Sequence, residues 1–151
     1  MDRKRWILIP PAIWIASLFL IQIFGSIVAP DSSEMPEECP EGSQNCARVL
    51  LEIDASPQDV QSATMDWIMS QDQTTVQSES ESDSHTVFRT RWMMFQDDFF
   101  VETGCTENTT WIQIHSESRL GIGDMGVNQA RIDALIDYLD IFQFPDASCK
   151  S

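Results

Sequence analysis

Apolar positions follow three regimes along this chain. Across residues 6–29 they are nearly continuous, interrupted only by Pro10, Pro11, Ser17, Gln22, Gly25 and Ser26. A helix of that length reaches roughly 36 Å, against about 30 Å of bilayer hydrocarbon. Short alternating runs come next, and period two predicts strands. Val49, Leu51 and Ile53 share one face of residues 48–53, and Ile112 and Ile114 share one face of residues 109–116, with Trp111, Gln113 and His115 on the other. Between them, residues 74–80 predict a polar strand and residues 79–84 a hairpin tip. Residues 85–95 set Phe88, Trp92 and Met94 against Val87, Arg89, Arg91, Met93 and Phe95. Asp97-Asp98 then predicts a turn, residues 99–102 a returning strand and residues 104–110 a longer loop. The Met and Trp side chains at strand spacing are expected in the core rather than in a soft-metal or aromatic cage.

Two stretches carry helical periodicity. Ser56 as N-cap, Pro57 in the first turn and Asp59 three residues beyond the cap open a helix over 57–70, with Val60, Ala63, Thr64, Trp67 and Ile68 toward one side. Val127, Arg131, Ile132, Leu135, Leu139 and Phe142 repeat along 127–142, leaving Asp133, Asp137 and Asp140 for water. The order strand, helix, several antiparallel strands, helix predicts an α+β fold: an antiparallel sheet with two helices packed on one face, plus one N-terminal transmembrane helix.

The divisions expected are a cytoplasmic stub (1–5), a transmembrane helix (6–29), a polar linker (30–45), an α+β domain (46–145) and a C-terminal tail (146–151). Arg3, Lys4 and Arg5 before the apolar run predict a single-pass protein of the cytoplasmic membrane, N-terminus inside and domain outside. An uncleaved anchor fits better than a signal peptide, whose apolar region is shorter, and Pro30 after Ala29 is a poor cleavage position. Pro10 and Pro11 are expected in the first turns, where a missing N–H costs least.

Charge narrows the partners. The chain carries a net charge of -15, and outside residues 1–5 it has 23 acidic and 6 basic residues. Such a surface repels phosphate backbones, which argues against nucleic acid and leaves the membrane, a protein partner or a small ligand. Cys39, Cys46, Cys105 and Cys149 lack zinc-ribbon spacing, and His85 and His115 are not at i, i+4, so disulfides are expected rather than a metal. Of three pairings, Cys39 with Cys46 and Cys105 with Cys149 is preferred. The first closes a local loop, and the second staples the chain end to the sheet. Asn108-Thr109-Thr110 is a glycosylation sequon, making Asn108 a modification candidate in an exported loop. The acids of residues 79–84 lack EF-hand spacing and read as a solvated loop.

The densest chemistry lies in residues 116–131. Gly121, Gly123 and Gly126 spell G-x-G-x-x-G between a strand and a helix, yet a dinucleotide unit needs a second parallel strand, and none is predicted after residue 142. Arg119, Gly121, Asp124, Gly126, Asn128 and Arg131, with Asp97 and Asp98, form the candidate ligand site or structural junction. As a site, Arg119 is a bidentate donor for an anionic or polar ligand beside glycine N–H groups at a helix start. As a junction, Arg119 pairs with Asp124, Asp97 or Asp98, while Asp124 or Asn128 caps the helix. The junction is the stronger expectation, because nearby acids already supply partners. A hydrolase would use His115 with Asp97 or Asp98 and Ser116 or Ser118, but no G-x-S-x-G elbow is present and alternation sets Ser116 opposite His115.

Ser116-x-Ser118-Arg119-Leu120-Gly121-x-x-Asp124-x-Gly126-Val127-Asn128-x-x-Arg131 resembles the C-terminal signature of the domain-of-unknown-function 1499 family. Cys39-Pro40-x-x-x-Gln44-Asn45-Cys46 resembles that family's N-terminal segment, and residues 88–102, with Phe95-Gln96-Asp97-Asp98, its central strand pair. The resemblance covers residues 39–138 and implies that these positions belong to a family signature without assigning them a role; Ile122-Gly123 departs from the aromatic-Ser expected before Asp124. Residues 53–60 are also similar to the first strand-to-helix junction of helix-grip, lipid-transfer-like proteins. The expected function is a membrane-anchored extracytoplasmic binding or assembly module, with no cofactor. The alternatives are a carrier or sensor of a small amphipathic or anionic ligand, and a hydrolase.

Overall fold

The computed structural model describes residues 3–145 and Cys149; the expected tail, 146–151, otherwise lies outside the described residues, as do Met1 and Asp2 of the stub. Helix α1 (Arg3–Ile27) leads into strand β1 (Cys46–Ile53), helix α2 (Pro57–Ser70), strands β2 (Thr74–Glu79), β3 (Asp83–Arg89), β4 (Gln96–Thr106) and β5 (Thr109–Ser118), and helix α3 (Val127–Ile141). The strands form one antiparallel sheet in the order β1-β5-β4-β3-β2. Both domain helices lie on one face, the expected α+β arrangement.

Local chemistry explains the helix starts. Ser56 Oγ accepts from the Asp59 N–H at 3.1 Å and donates to Asp59 Oδ2 at 2.6 Å, so cap and first-turn acid hold each other. At α3, Asp124 accepts from the backbone N–H of Gly126 at 2.9 Å and of Asn128 at 2.6 Å. Gly126 itself occupies the N-cap position with φ 82, a backbone region that glycine enters without a Cβ clash. Within the sheet–helix layer, Phe88, Phe99, Val101, Ile112 and Ile114 meet Val60, Ala63, Ile68, Ile132, Leu135 and Leu139, all buried.

Several local expectations need correction. Asp97 and Asp98 do not form a turn; they lie inside β4, while the turn occupies residues 90–95. Trp92 is therefore in a loop and 73 % exposed, not in the core. The loop foreseen over 104–110 shrinks to a tight hairpin at Glu107 and Asn108, both with positive φ, because β4 and β5 stay paired as far as Thr106 and Thr109. Pro10 and Pro11 fall within α1, whose first residue is Arg3, so the carbonyls of Trp6 and Ile7 lose their i+4 donors.

The opposite face of the sheet is covered differently. Cys39 is disulfide-bonded to Cys46, Arg48 Nη1 donates to the Pro36 carbonyl oxygen, Ser33 Oγ lies 3.3 Å from His85 Nδ1, and Gln44 bridges to Gly123. The polar segment after α1 thus packs on the sheet. Cys105 and Cys149 form the second disulfide, with Cα atoms 5.8 Å apart.

Candidate functional site

Strand β4 runs through the middle of the sheet, so consecutive residues point to opposite faces. Asp97 faces the helices and Asp98 faces away. Each carboxylate is buried, and each meets an arginine from the 116–131 stretch.

On the helix face, Arg131 Nη2 donates to Asp97 Oδ2 at 2.7 Å, and Ser118 Oγ donates to Asp97 Oδ1 at 2.5 Å. The other Arg131 amine reaches Ser116 Oγ at 3.0 Å and Asn128 Oδ1 at 2.7 Å. Asn128 closes the cluster, accepting from Ser116 Oγ at 2.6 Å and donating to the Asn45 carbonyl oxygen at 2.8 Å and Ser118 Oγ at 3.0 Å. The Arg131 guanidinium also stands 4.6 Å from the centre of the Phe88 ring, a cation–π distance. β4, β5, α3 and the segment before β1 are thereby locked at one corner.

On the opposite face, Arg119 makes a two-point contact with Asp98: Nε to Oδ2 and Nη2 to Oδ1, each at 2.7 Å. His85 Nε2 approaches the same Oδ1 at 2.6 Å, and its ring stacks on Phe100 with centroids 4.1 Å apart. Burial opposes ionisation of Asp98. The hydrogen bonds from Arg119 and His85, with their charges, outweigh it and hold the carboxyl below its ordinary value of 3.8. The remaining Arg119 amine donates to Gln96 Oε1 at 2.9 Å and to the Gly25 carbonyl oxygen of α1 at 3.3 Å.

The candidate residues thus separate into two clusters. Asp97, Asn128 and Arg131 form one; Asp98 and Arg119 form the other; Asp124 and Gly126 shape the start of α3, with Gly121 at φ 107 in the approach to it. Arg119 is paired with Asp98, not with Asp124. Sequence reasoning missed His85, Gln96 and Gly25, because their partners are distant in the chain and no local pattern announces them.

A nucleophile–base arrangement is not assembled around His115. It shares the face opposite the helices with Arg48, Glu117 and the Cys46 sulfur, at 3.3, 3.3 and 3.5 Å, whereas Ser116 and Ser118 are committed to the helix-face cluster. The Cys39 and Cys46 sulfurs beside His115 are disulfide-bonded and are not thiolate ligands for a metal. Asn108 sits at the β4–β5 hairpin tip.

The family model described as "Protein of unknown function (DUF1499)" matches residues 35–139. The chain belongs to this family. No curated protein matches it in sequence. Among solved structures, protein CV1439 from Chromobacterium violaceum aligns over 63 % of this chain and 91 % of its own, with 8 % identity and a TM-score of 0.36. In this DUF1499 domain both arginines of the signature stretch use their guanidinium groups on the paired Asp97-Asp98 of β4, so neither meets an incoming anion without first giving up an internal partner.

Proposed function

We propose that this is a single-pass protein of the cytoplasmic membrane that holds its acidic DUF1499 domain outside the cell interior as a binding or assembly module. The carrying observation is Arg119, whose guanidinium grips Asp98 of the sheet and the Gly25 carbonyl of α1 together. Among the described residues one helix is long and apolar enough to cross a membrane, over Ile9–Ile27, and it is hydrogen-bonded to the domain rather than loosely tethered. Arg3, Lys4 and Arg5 precede the span, which favours a cytoplasmic N-terminus, and two disulfides suit an oxidising compartment.

The layer between sheet and helices is filled by side chains such as Phe99, Ile114, Ile132 and Leu135, all with no exposure. A filled interior favours action through surface contacts over carriage of an internal ligand. The excess of carboxylates attracts a basic protein surface.

Two measurements test this reading. A Ser80→Cys variant in intact cells is expected to react with a membrane-impermeant thiol reagent; reaction only after permeabilisation would reverse the orientation. Native mass spectrometry of the full chain, extracted gently, is expected to show a protein assembly that dissociates on denaturation. A small-molecule mass that leaves on denaturation would support the carrier reading instead.

A further inference from the structure

Helix α1 and the domain meet at one end of the sheet. Gln22 Nε2 donates to the Met94 carbonyl oxygen at 2.7 Å, and Gln96 Nε2 donates to Gln22 Oε1 at 2.7 Å. Gln22 lies five residues before Ile27, where the apolar span ends. At 1.5 Å per residue, the Met94 carbonyl is therefore level with a point about 7–8 Å inside the span. Loop 90–95 does not stop at the top of the apolar segment; it reaches back alongside it. Burial along α1 agrees, since Leu18, Ile21, Gln22 and Gly25 are at least partly covered while Phe19, Leu20, Ile23 and Phe24 are exposed.

Loop 119–126 lies at the same end. The Arg119 N–H donates to the Gln96 carbonyl at 3.0 Å, and Thr90 and Phe95 share with Leu120, Met125 and Val127 a hollow of about 220 Å³. These two adjacent loops carry apolar side chains outward: Trp92 is 73 %, Ile122 92 % and Met125 95 % exposed. The Arg91 guanidinium stands 5.9 Å from the Trp92 ring centre. An aromatic ring with a neighbouring long cation suits the headgroup layer, where the ring lies among upper acyl carbons and the cation turns toward phosphate. The other end of the sheet is more acidic than this one, where Asp72 and Asp124 lie. Its turns and strand ends carry Asp54, Glu79, Glu81, Asp83 and Glu107.

We propose that loops 90–95 and 119–126 are immersed in the headgroup and upper acyl region of the bilayer that α1 spans, giving the domain a second foothold that fixes its tilt. Lipid is the occupant because these loops are hydrogen-bonded to the side of the span itself. Exposed apolar groups on adjacent loops mark an interaction surface, and here the nearest apolar phase is the membrane. The inference rests on α1 crossing a membrane, and the test separates the two.

All four cysteines are in disulfides, so an introduced cysteine is the one free thiol. The full chain is reconstituted in phosphatidylcholine nanodiscs with a nitroxide at Ile122→Cys, Met125→Cys, Ile15→Cys in α1, or Ser80→Cys at the far hairpin tip. Collision with oxygen, which concentrates in lipid, is compared with collision with a water-soluble nickel chelate. Oxygen is expected to dominate at positions 15, 122 and 125 and nickel at 80. If position 15 reports lipid while 122 and 125 report water, the second foothold is overturned and the anchor stands. Shielding of 122 and 125 from both reagents would also overturn it, by assigning the loops to a protein contact. Water at position 15 would remove the anchor and the inference together.

Discussion

Asp97 and Asp98 are adjacent acids in one strand, each paired with an arginine of the same short stretch, yet they belong to different environments. Asp97 and Arg131 sit under α3 beside Phe88, in a network closed by Ser116, Ser118 and Asn128. Asp98 and Arg119 lie on the face that the post-helix segment and α1 cover, and their network continues into His85, Gln96 and Gly25. Identical charge chemistry therefore does two jobs. One pair closes the fold, and the other couples the fold to α1. Pleating alone divides them, because one step along a strand moves a side chain to the other face.

Removing Arg131 sharpens the contrast most. Arg131→Ala leaves the carboxylate of Asp97, which is 2 % exposed, with the neutral Ser118 hydroxyl as its remaining side-chain partner, and a broken buried pair costs about 3–5 kcal/mol. Thermal unfolding followed by circular dichroism is expected to show the domain unfolded or strongly destabilised. Arg119→Ala leaves Asp98 with His85 as a partner, so the loss is expected near 1.5–3 kcal/mol, the range for one charge-assisted contact. Its distinguishing readout is amide exchange in α1 near Gly25, which should quicken in Arg119→Ala. Equal destabilisation by the two alanines would mean that the two pairs do the same job.

Acid tests the second pair by itself. The Asp98 carboxyl is held below 3.8 in the fold, so its contribution to stability is fully present above that value and is lost as pH falls through the folded value. Unfolding titrations below about pH 4 should show a steeper decline in the natural chain than in Asp98→Asn, whose own stability is lower at neutral pH. Parallel acid limbs would remove Asp98 from the account.

Two milder changes probe each face. The Thr86 hydroxyl is buried on the helix-facing side of the sheet, opposite Phe99, with no hydrogen-bond partner among the described residues, so Thr86→Val is expected to stabilise by about 1 kcal/mol, read as a higher unfolding midpoint. A Cβ on Gly25 would meet Gln96 Oε1 at 2.7 Å, the far end of a flexible side chain. Gly25→Ala should change domain stability by less than about 0.5 kcal/mol while loosening α1 from the sheet, seen as faster exchange at Gln96 and Arg119 without a shift in unfolding midpoint.

The sequence by itself determined the elements whose burial is one-sided and repetitive. The capped amphipathic α2, the alternating β1 and β5, and α3 were legible because period two and period 3.6 record which side is buried, while α1 was legible from the unbroken length of its apolar run. For the disulfides the sequence supported a preference among three pairings, from the small loop that Cys39 and Cys46 close and the chain end that Cys105 and Cys149 staple, and the structure has that pairing. The two acids were not: Asp97-Asp98 reads locally as a turn, and only partners 34 and 21 residues away, at Arg131 and Arg119, make a buried strand tolerable for them. Trp92 fails for the converse reason, since its alternation with Phe88 resembles a strand that the chain has already left. The tertiary structure alone decided which acid met which arginine, that α1 is bound to the sheet through Gln22 and Gly25, and that Trp92, Ile122 and Met125 gather at one end. Those outcomes depend on which distant segments the fold brings into hydrogen-bonding range, and no local period encodes such distances.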